Sequence, residues 1–168
     1  VLYGACDAVV RTPYQPFVEA LDHLARHGEP AWLREAVGTG GGELARLLPD
    51  LSRQVPGLPA PVPADPDTER HRLHTAVTDL LAGVSRRWPI LLVLEDLHWS
   101  DTPSLLLLRH LVRVAGGTRM LILATFRDLE ADVPAELADA LADLRRLEDV
   151  LRLRLTGLSD PEVAEFVQ

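Results

Sequence analysis

The chain has 168 residues, the size of one domain, of which 47% are hydrophobic and 25% charged. That is enough apolar material for a core, and it excludes a disordered tail. The formal net charge of −8 argues against direct, non-specific nucleic-acid binding by this segment, and no apolar run is long enough to imply a membrane partner.

Val1 to Asp7 reads as a short strand ending in a polar turn. Thr12-Pro13-Tyr14-Gln15 has the pattern of a helix start, with Thr at the N-cap, Pro at the first helical position and Gln at the capping-box position. Tyr14, Phe17, Val18, Leu21, Leu24 and Ala25 form one apolar helical face, and Gly28 ends it. Weaker helical patterns follow around Trp32–Val37 and Glu43–Leu51. The Pro-rich stretch from Gln54 to Asp67 predicts an irregular surface connection. Asp65-Pro66 restarts a helix, whose buried face runs from Leu73 to Val84.

Next comes Ile90 to Leu94, five apolar residues without a break, ending in the adjacent carboxylates Glu95 and Asp96. Such a run, bounded by Pro89, predicts a buried parallel strand. Thr102-Pro103 starts a helix from Ser104 to about Ala115, nearly apolar all round, and Gly116-Gly117 stops it. Arg119 to Phe126 predicts a second buried strand, ending in Arg127-Asp128. Pro134 begins a helix with Leu137, Leu141, Leu144 and Leu147 on one face, Val150 to Leu155 reads as a further strand, and Ser159-Asp-Pro-Glu162 is a capping box. This alternation predicts an α/β fold with a parallel sheet and helices on both faces.

Ligands of open α/β sheets bind at the carboxyl ends of the strands. Glu95 and Asp96 stand at such an end, where acids can hold Mg²⁺ and a neighbour can orient an attacking water. Thr125-Phe126-Arg127 ends the next strand on the same edge, and Arg127 there can reach a γ-phosphate oxygen. Taken one at a time, both features have plain alternatives: solvated acids that end a strand, and an Arg paired with Asp128 or Asp101.

Other candidates point elsewhere. Gly38-Thr-Gly-Gly-Gly-Glu43 lacks the last Gly of Gly-x-Gly-x-x-Gly and follows a helical pattern, so it reads as a flexible helix–helix connection. His23/His27 and His71/His74 have helical spacing but no third ligand, and read as surface histidines. Ser100 with His98 and Asp101 lacks a nucleophile elbow. Trp99 reads as packing against the following helix. The single Cys6 excludes an internal disulfide and fits a reducing compartment, so a cytoplasmic location is expected.

The run Ile90-Leu-Leu-Val-Leu-Glu-Asp-Leu-His-Trp-Ser-Asp-Thr-Pro-Ser-Leu105 resembles the Walker B region of AAA-like, signal-transduction (STAND) P-loop ATPases. These modules occur in large LuxR-type transcriptional regulators and in some cyclase- and kinase-linked regulators. Tyr3–Asp7, Pro13–Phe17, Leu44–Asp50, Ala124–Asp128 and Leu155–Asp160 resemble further segments of that family. The resemblance implies a three-layer αβα P-loop fold, incomplete here, with residues 1–156 a partial ATPase core and 157–168 the start of a helical lid. It also implies ATP and Mg²⁺ as cofactors and an attached effector or DNA-binding domain outside this segment. Glu95 matches the metal-site acid, Asp96 the water-orienting acid and Arg127 the γ-phosphate sensor, with Thr125 beside it. Glu95 stands where Asp is commoner, which leaves open which acid holds the metal.

The phosphate loop Gly-x-x-x-x-Gly-Lys-[Ser/Thr] is missing, and all 17 basic residues are Arg. The chain is therefore expected to be a piece of a longer protein carrying half a nucleotide site, with no ATPase activity by itself. An alternative is a scaffold that holds nucleotide or partner proteins without turnover.

Overall fold

A computed structural model describes residues 1–9, 12–128 and 133–167. Three strands, β1 (Leu2–Ala5), β2 (Ile90–Glu95) and β3 (Met120–Ala124), form a parallel sheet in the order β1-β2-β3. The register sets Tyr3 opposite Val93, Ala5 opposite Glu95, and Leu94 opposite Ala124. Between β1 and β2 lie α1 (Gln15–His27), α2 (Pro30–Val37), α3 (Gly41–Leu47), the single turn α4 (Leu51–Gln54) and the long α5 (Pro66–Arg87). Helix α6 (Thr102–Val114) joins β2 to β3, and α7 (Ala135–Leu144) and α8 (Asp160–Phe166) follow.

The strand order explains where the core sits. Both crossovers step in the same direction across the sheet, and right-handed crossovers that do so place their helices on one face. Leu2, Ile90, Leu92 and Leu94 on that face are buried, together with Phe17, Leu21, Leu80, Leu81, Leu107 and Leu111 of the helices. α6 packs against both α1 and α5 above it. At Gly4 the approach is so close that a Cβ would lie 1.8 Å from the carbonyl oxygen of Pro16. On the opposite face Tyr3, Leu121 and Leu123 are exposed. The class is the expected one, α/β with an incomplete parallel sheet. β3, however, is half-buried on one side and exposed on the other.

Several local expectations change. α1 starts at Gln15, not at Pro13: Tyr14 is its N-cap, in the left-handed region at φ 64°. The Tyr14 ring meets His74 of α5 edge-on at 5.9 Å. Asp65 caps α5 by accepting from the Thr68 N–H at 3.0 Å, and Asp101 caps α6 in the same way from Ser104 at 2.8 Å. The capping box of Ser159 and Glu162 is present. Gly38–Gly40 is a single 3₁₀ turn leading directly into α3.

Residues 150–155 do not form a strand. Arg152 and Arg154 both pair with Asp128 beyond the tip of β3, which leaves Leu151, Leu153 and Leu155 exposed. A branched, alternating pattern becomes a strand only beside a partner edge that can take its hydrogen bonds. His74 is buried, not a surface histidine.

Candidate functional site

At the carboxyl edge of the sheet, β2 delivers Glu95 and Asp96 side by side. The Tyr3 hydroxyl on β1 donates to Glu95 Oε2 at 2.6 Å, and the Cys6 N–H donates to the Glu95 carbonyl at 3.0 Å. One carboxylate oxygen of Glu95 is thereby committed to Tyr3. Beside the Glu95 carboxylate, the Tyr3 phenol is held above its ordinary ionisation range, chiefly by this bond.

The chain turns sharply at Asp96, which lies in the left-handed region at φ 57°, ψ 43°. Asp tolerates this conformation better than most residues. The turn directs Asp96 away from the strand's own alternation, and its side chain is 44% exposed.

Thr125 clamps that turn from β3. Its N–H donates to the Leu94 carbonyl at 3.0 Å and its carbonyl accepts from the Leu97 N–H at 2.9 Å. Its hydroxyl accepts from the Asp96 N–H at 3.2 Å. Sequence-predicted Thr125 therefore stands next to the acid pair and holds its backbone.

The 3₁₀ turn Leu97–Trp99 follows. His98 is buried and accepts from the Arg127 N–H at Nδ1, 3.4 Å away. Such a bond puts the imidazole proton on Nε2, which is buried without a partner among the described residues. His98 Nδ1 also lies 3.9 Å from Asp96 Oδ1. The main-chain N–H of residue 127 and the Asp96 carboxylate thus both approach the same ring nitrogen of His98. The Arg127 guanidinium lies over the Trp99 ring, 5.5 Å from its centroid. No ion pair joins it to Glu95 or Asp96 among the described residues.

Asp101 is committed to the α6 cap through Ser104 N and Oγ, the latter at 2.6 Å, so it makes no relay with Ser100 and His98. Burial pushes the Cys6 thiol up to about 11, which keeps it protonated and unreactive near neutral pH.

Two participants escape a reading of the sequence. Tyr3 reaches Glu95 only because the β1–β2 register places it diagonally across the strands. Glu19 of α1 accepts from the Ala5 N–H at 3.0 Å and is steadied by Gln15 Nε2 at 3.1 Å. It adds a third carboxylate to this edge. Neither carries a motif signal; both depend on how α1 and β1 meet.

Two grooves of about 480 Å³ lie elsewhere, one lined by the 39–43 and 59–62 segments and α5, the other by Tyr14, Leu47 and Leu73. Among the described residues no cluster of His, Cys, Asp and Glu side chains is preassembled as a metal site. No described helix is long and apolar enough to cross a membrane.

A family model described as AAA ATPase domain matches residues 1–123. The match includes Glu95, Asp96 and the whole of α6 and stops short of Thr125 and Arg127. No curated protein and no solved structure matches the chain. The parallel sheet, the acid pair at its carboxyl edge and the span of this match make the chain an AAA-like ATPase module, and it belongs to the AAA ATPase domain family.

Proposed function

We propose that this edge is the metal and sensor half of a Mg-ATP site, in a nucleotide-driven switch of a signal-responsive, LuxR-type transcriptional regulator. The observation that carries the reading is the juxtaposition of Glu95, Asp96 and Thr125, two carboxylates on a turn fixed by the neighbouring strand. Hard oxygen donors suit Mg²⁺. Glu95 keeps one oxygen beyond its bond to Tyr3, and the Asp96 carboxylate is open to solvent on one side. The donor set therefore fits the ion, though it supplies only part of a coordination shell.

Bound there, the ion would neutralise phosphate charge. Tyr3 fixes the rotamer of Glu95, and Thr125 fixes the backbone from which Asp96 projects. On this reading Asp96 orients a water and Arg127 reads a terminal phosphate. Catalysis of this kind is positioning plus electrostatic stabilisation. The phosphate-cradling amides and Lys that this reading requires are not within these 168 residues. An effector such as a DNA-binding domain, joined outside this segment, would receive the switch.

The test is Glu95→Gln and Asp96→Asn in the longer protein that carries the phosphate loop. Phosphate release should fall by roughly 10²-fold or more while nucleotide binding persists. Unchanged release in both variants would leave a non-hydrolysing nucleotide-binding scaffold as the better description.

A further inference from the structure

Arg127 presents a contradiction that the site must resolve. It is a full positive charge whose main-chain N–H meets the same His98 nitrogen, Nδ1, that the Asp96 carboxylate approaches to 3.9 Å. An arginine so placed should fold onto Glu95 or Asp96, since a guanidinium and a carboxylate form the strongest pair available at an exposed edge. Such a pair would neutralise the acids and leave a cation nothing to bind. Yet among the described residues Arg127 makes no such pair, and its guanidinium lies on the indole of Trp99.

We propose that Trp99 is the positioning residue for Arg127: its ring parks the guanidinium away from Glu95 and Asp96, so that opposite charges within one site stay apart until an anion arrives. The inference rests on the reading of this edge as a Mg-phosphate half-site.

The neighbouring geometry supports it. Trp99 is held in turn, with the His98 ring 4.5 Å from its own and the 3₁₀ turn closed by Trp99 N–H to the Asp96 carbonyl at 2.9 Å. His98 is buried and fixes the main chain of residue 127. His98 thus sets where the arginine begins and Trp99 sets where it ends. A cation–π contact at a partly buried ring is the right strength for a parking place. It is enough to bias a free side chain, and weaker than charge-assisted bonds to a phosphate oxygen, so an anion can take the guanidinium away.

The experiment uses the full chain labelled with 5-fluorotryptophan, which reports Trp32, Trp88 and Trp99 separately. Arg127→Gln should move the Trp99 resonance and leave those of Trp32 and Trp88 in place, and Arg127→Lys should move it less. An unmoved Trp99 line in Arg127→Gln overturns the proposal.

A second arm uses Mn²⁺ alone as the probe, read by water-proton relaxation. Trp99→Ala should weaken Mn²⁺ binding about fivefold, the scale of an exposed ion pair, because Arg127 then competes for the acids. Trp99→Phe should keep wild-type affinity, and Trp99→Ala/Arg127→Gln should recover it. If the double variant stays weak, Trp99 acts only through structure and the proposal fails. If Mn²⁺ binding is absent, or survives Glu95→Gln/Asp96→Asn, it is the half-site reading that fails, and the fluorine result still decides whether Trp99 holds Arg127.

Discussion

Tyr3 and Glu95 are 92 positions apart in sequence, and their side chains meet at 2.6 Å across two parallel strands. Tyr3 lies opposite Val93, so its ring leans along the sheet toward the residue two positions on, and the phenol closes on Oε2 of the carboxylate. This bond gives the first acid of the pair a single orientation without burying it.

The bond has a consequence in alkali. The Tyr3 phenol ionises above its ordinary value of 10.0, with the Glu95 hydrogen bond as the leading cause. A group whose folded-state pKa is raised contributes stability that is complete below the unfolded value and is lost as pH rises through the folded one. Glu95→Gln should bring the Tyr3 ionisation down toward 10.0, followed by tyrosine carbon NMR with Tyr14 as the internal reference. An unchanged Tyr3 midpoint would mean the two side chains do not meet in solution.

Asp96 separates stability from chemistry. Its left-handed backbone disfavours any residue with a Cβ, and least so Asp or Asn. Asp96→Gly should be at least as stable as the parent chain, and Asp96→Ala less stable than Asp96→Gly by about 1 kcal/mol. Both remove the carboxylate and should lose metal binding alike. Urea unfolding and Mn²⁺ titration of the two variants check this together.

His74 predicts acid sensitivity. Burial, then the nearby His110, Arg70 and His71, pull its pKa from 6.5 to about 4. The folded state therefore binds fewer protons than the unfolded one between those values, and stability falls as pH drops from 6.5 toward 4. The loss from this site should be on the order of 2 kcal/mol. His110 is shifted the same way, also chiefly by burial. His74→Gln should flatten the fall of Tm across that interval. An equally steep fall in the variant would place the sensitivity in other groups.

The two faces of the sheet should respond oppositely to truncation. Leu92 is fully buried, whereas Leu121, across from Leu91, is 65% exposed. Leu92→Ala should cost about 3 kcal/mol through lost contacts and a residual cavity, while Leu121→Thr should stay within about 0.5 kcal/mol. Denaturant midpoints of the two variants measure the contrast.

How much was legible follows from what each signal reports. The apolar run of Ile90 to Leu94 and the acids behind it announce both the central strand and the site, because a buried strand tolerates charge only at its tip. The caps at Asp65 and Ser159 are equally local. The start of α1 was not legible, because Tyr14 takes a left-handed conformation that a residue of its type rarely adopts. Nor was the extended state of 150–155, whose alternation describes a strand with no neighbour to pair with.

The sequence by itself determined the α/β class and the strand that carries the acids, and it set Glu95, Asp96, Thr125 and Arg127 at the ends of two strands. These follow from periodicity and from residue types, which are local quantities. Tertiary structure alone decided that Tyr3 orients Glu95, that Glu19 joins the edge, and that Arg127 rests on Trp99 and not on the acids. Those contacts depend on strand register and helix placement. Register and placement are set by the packing of the whole core, and no short stretch of sequence contains them.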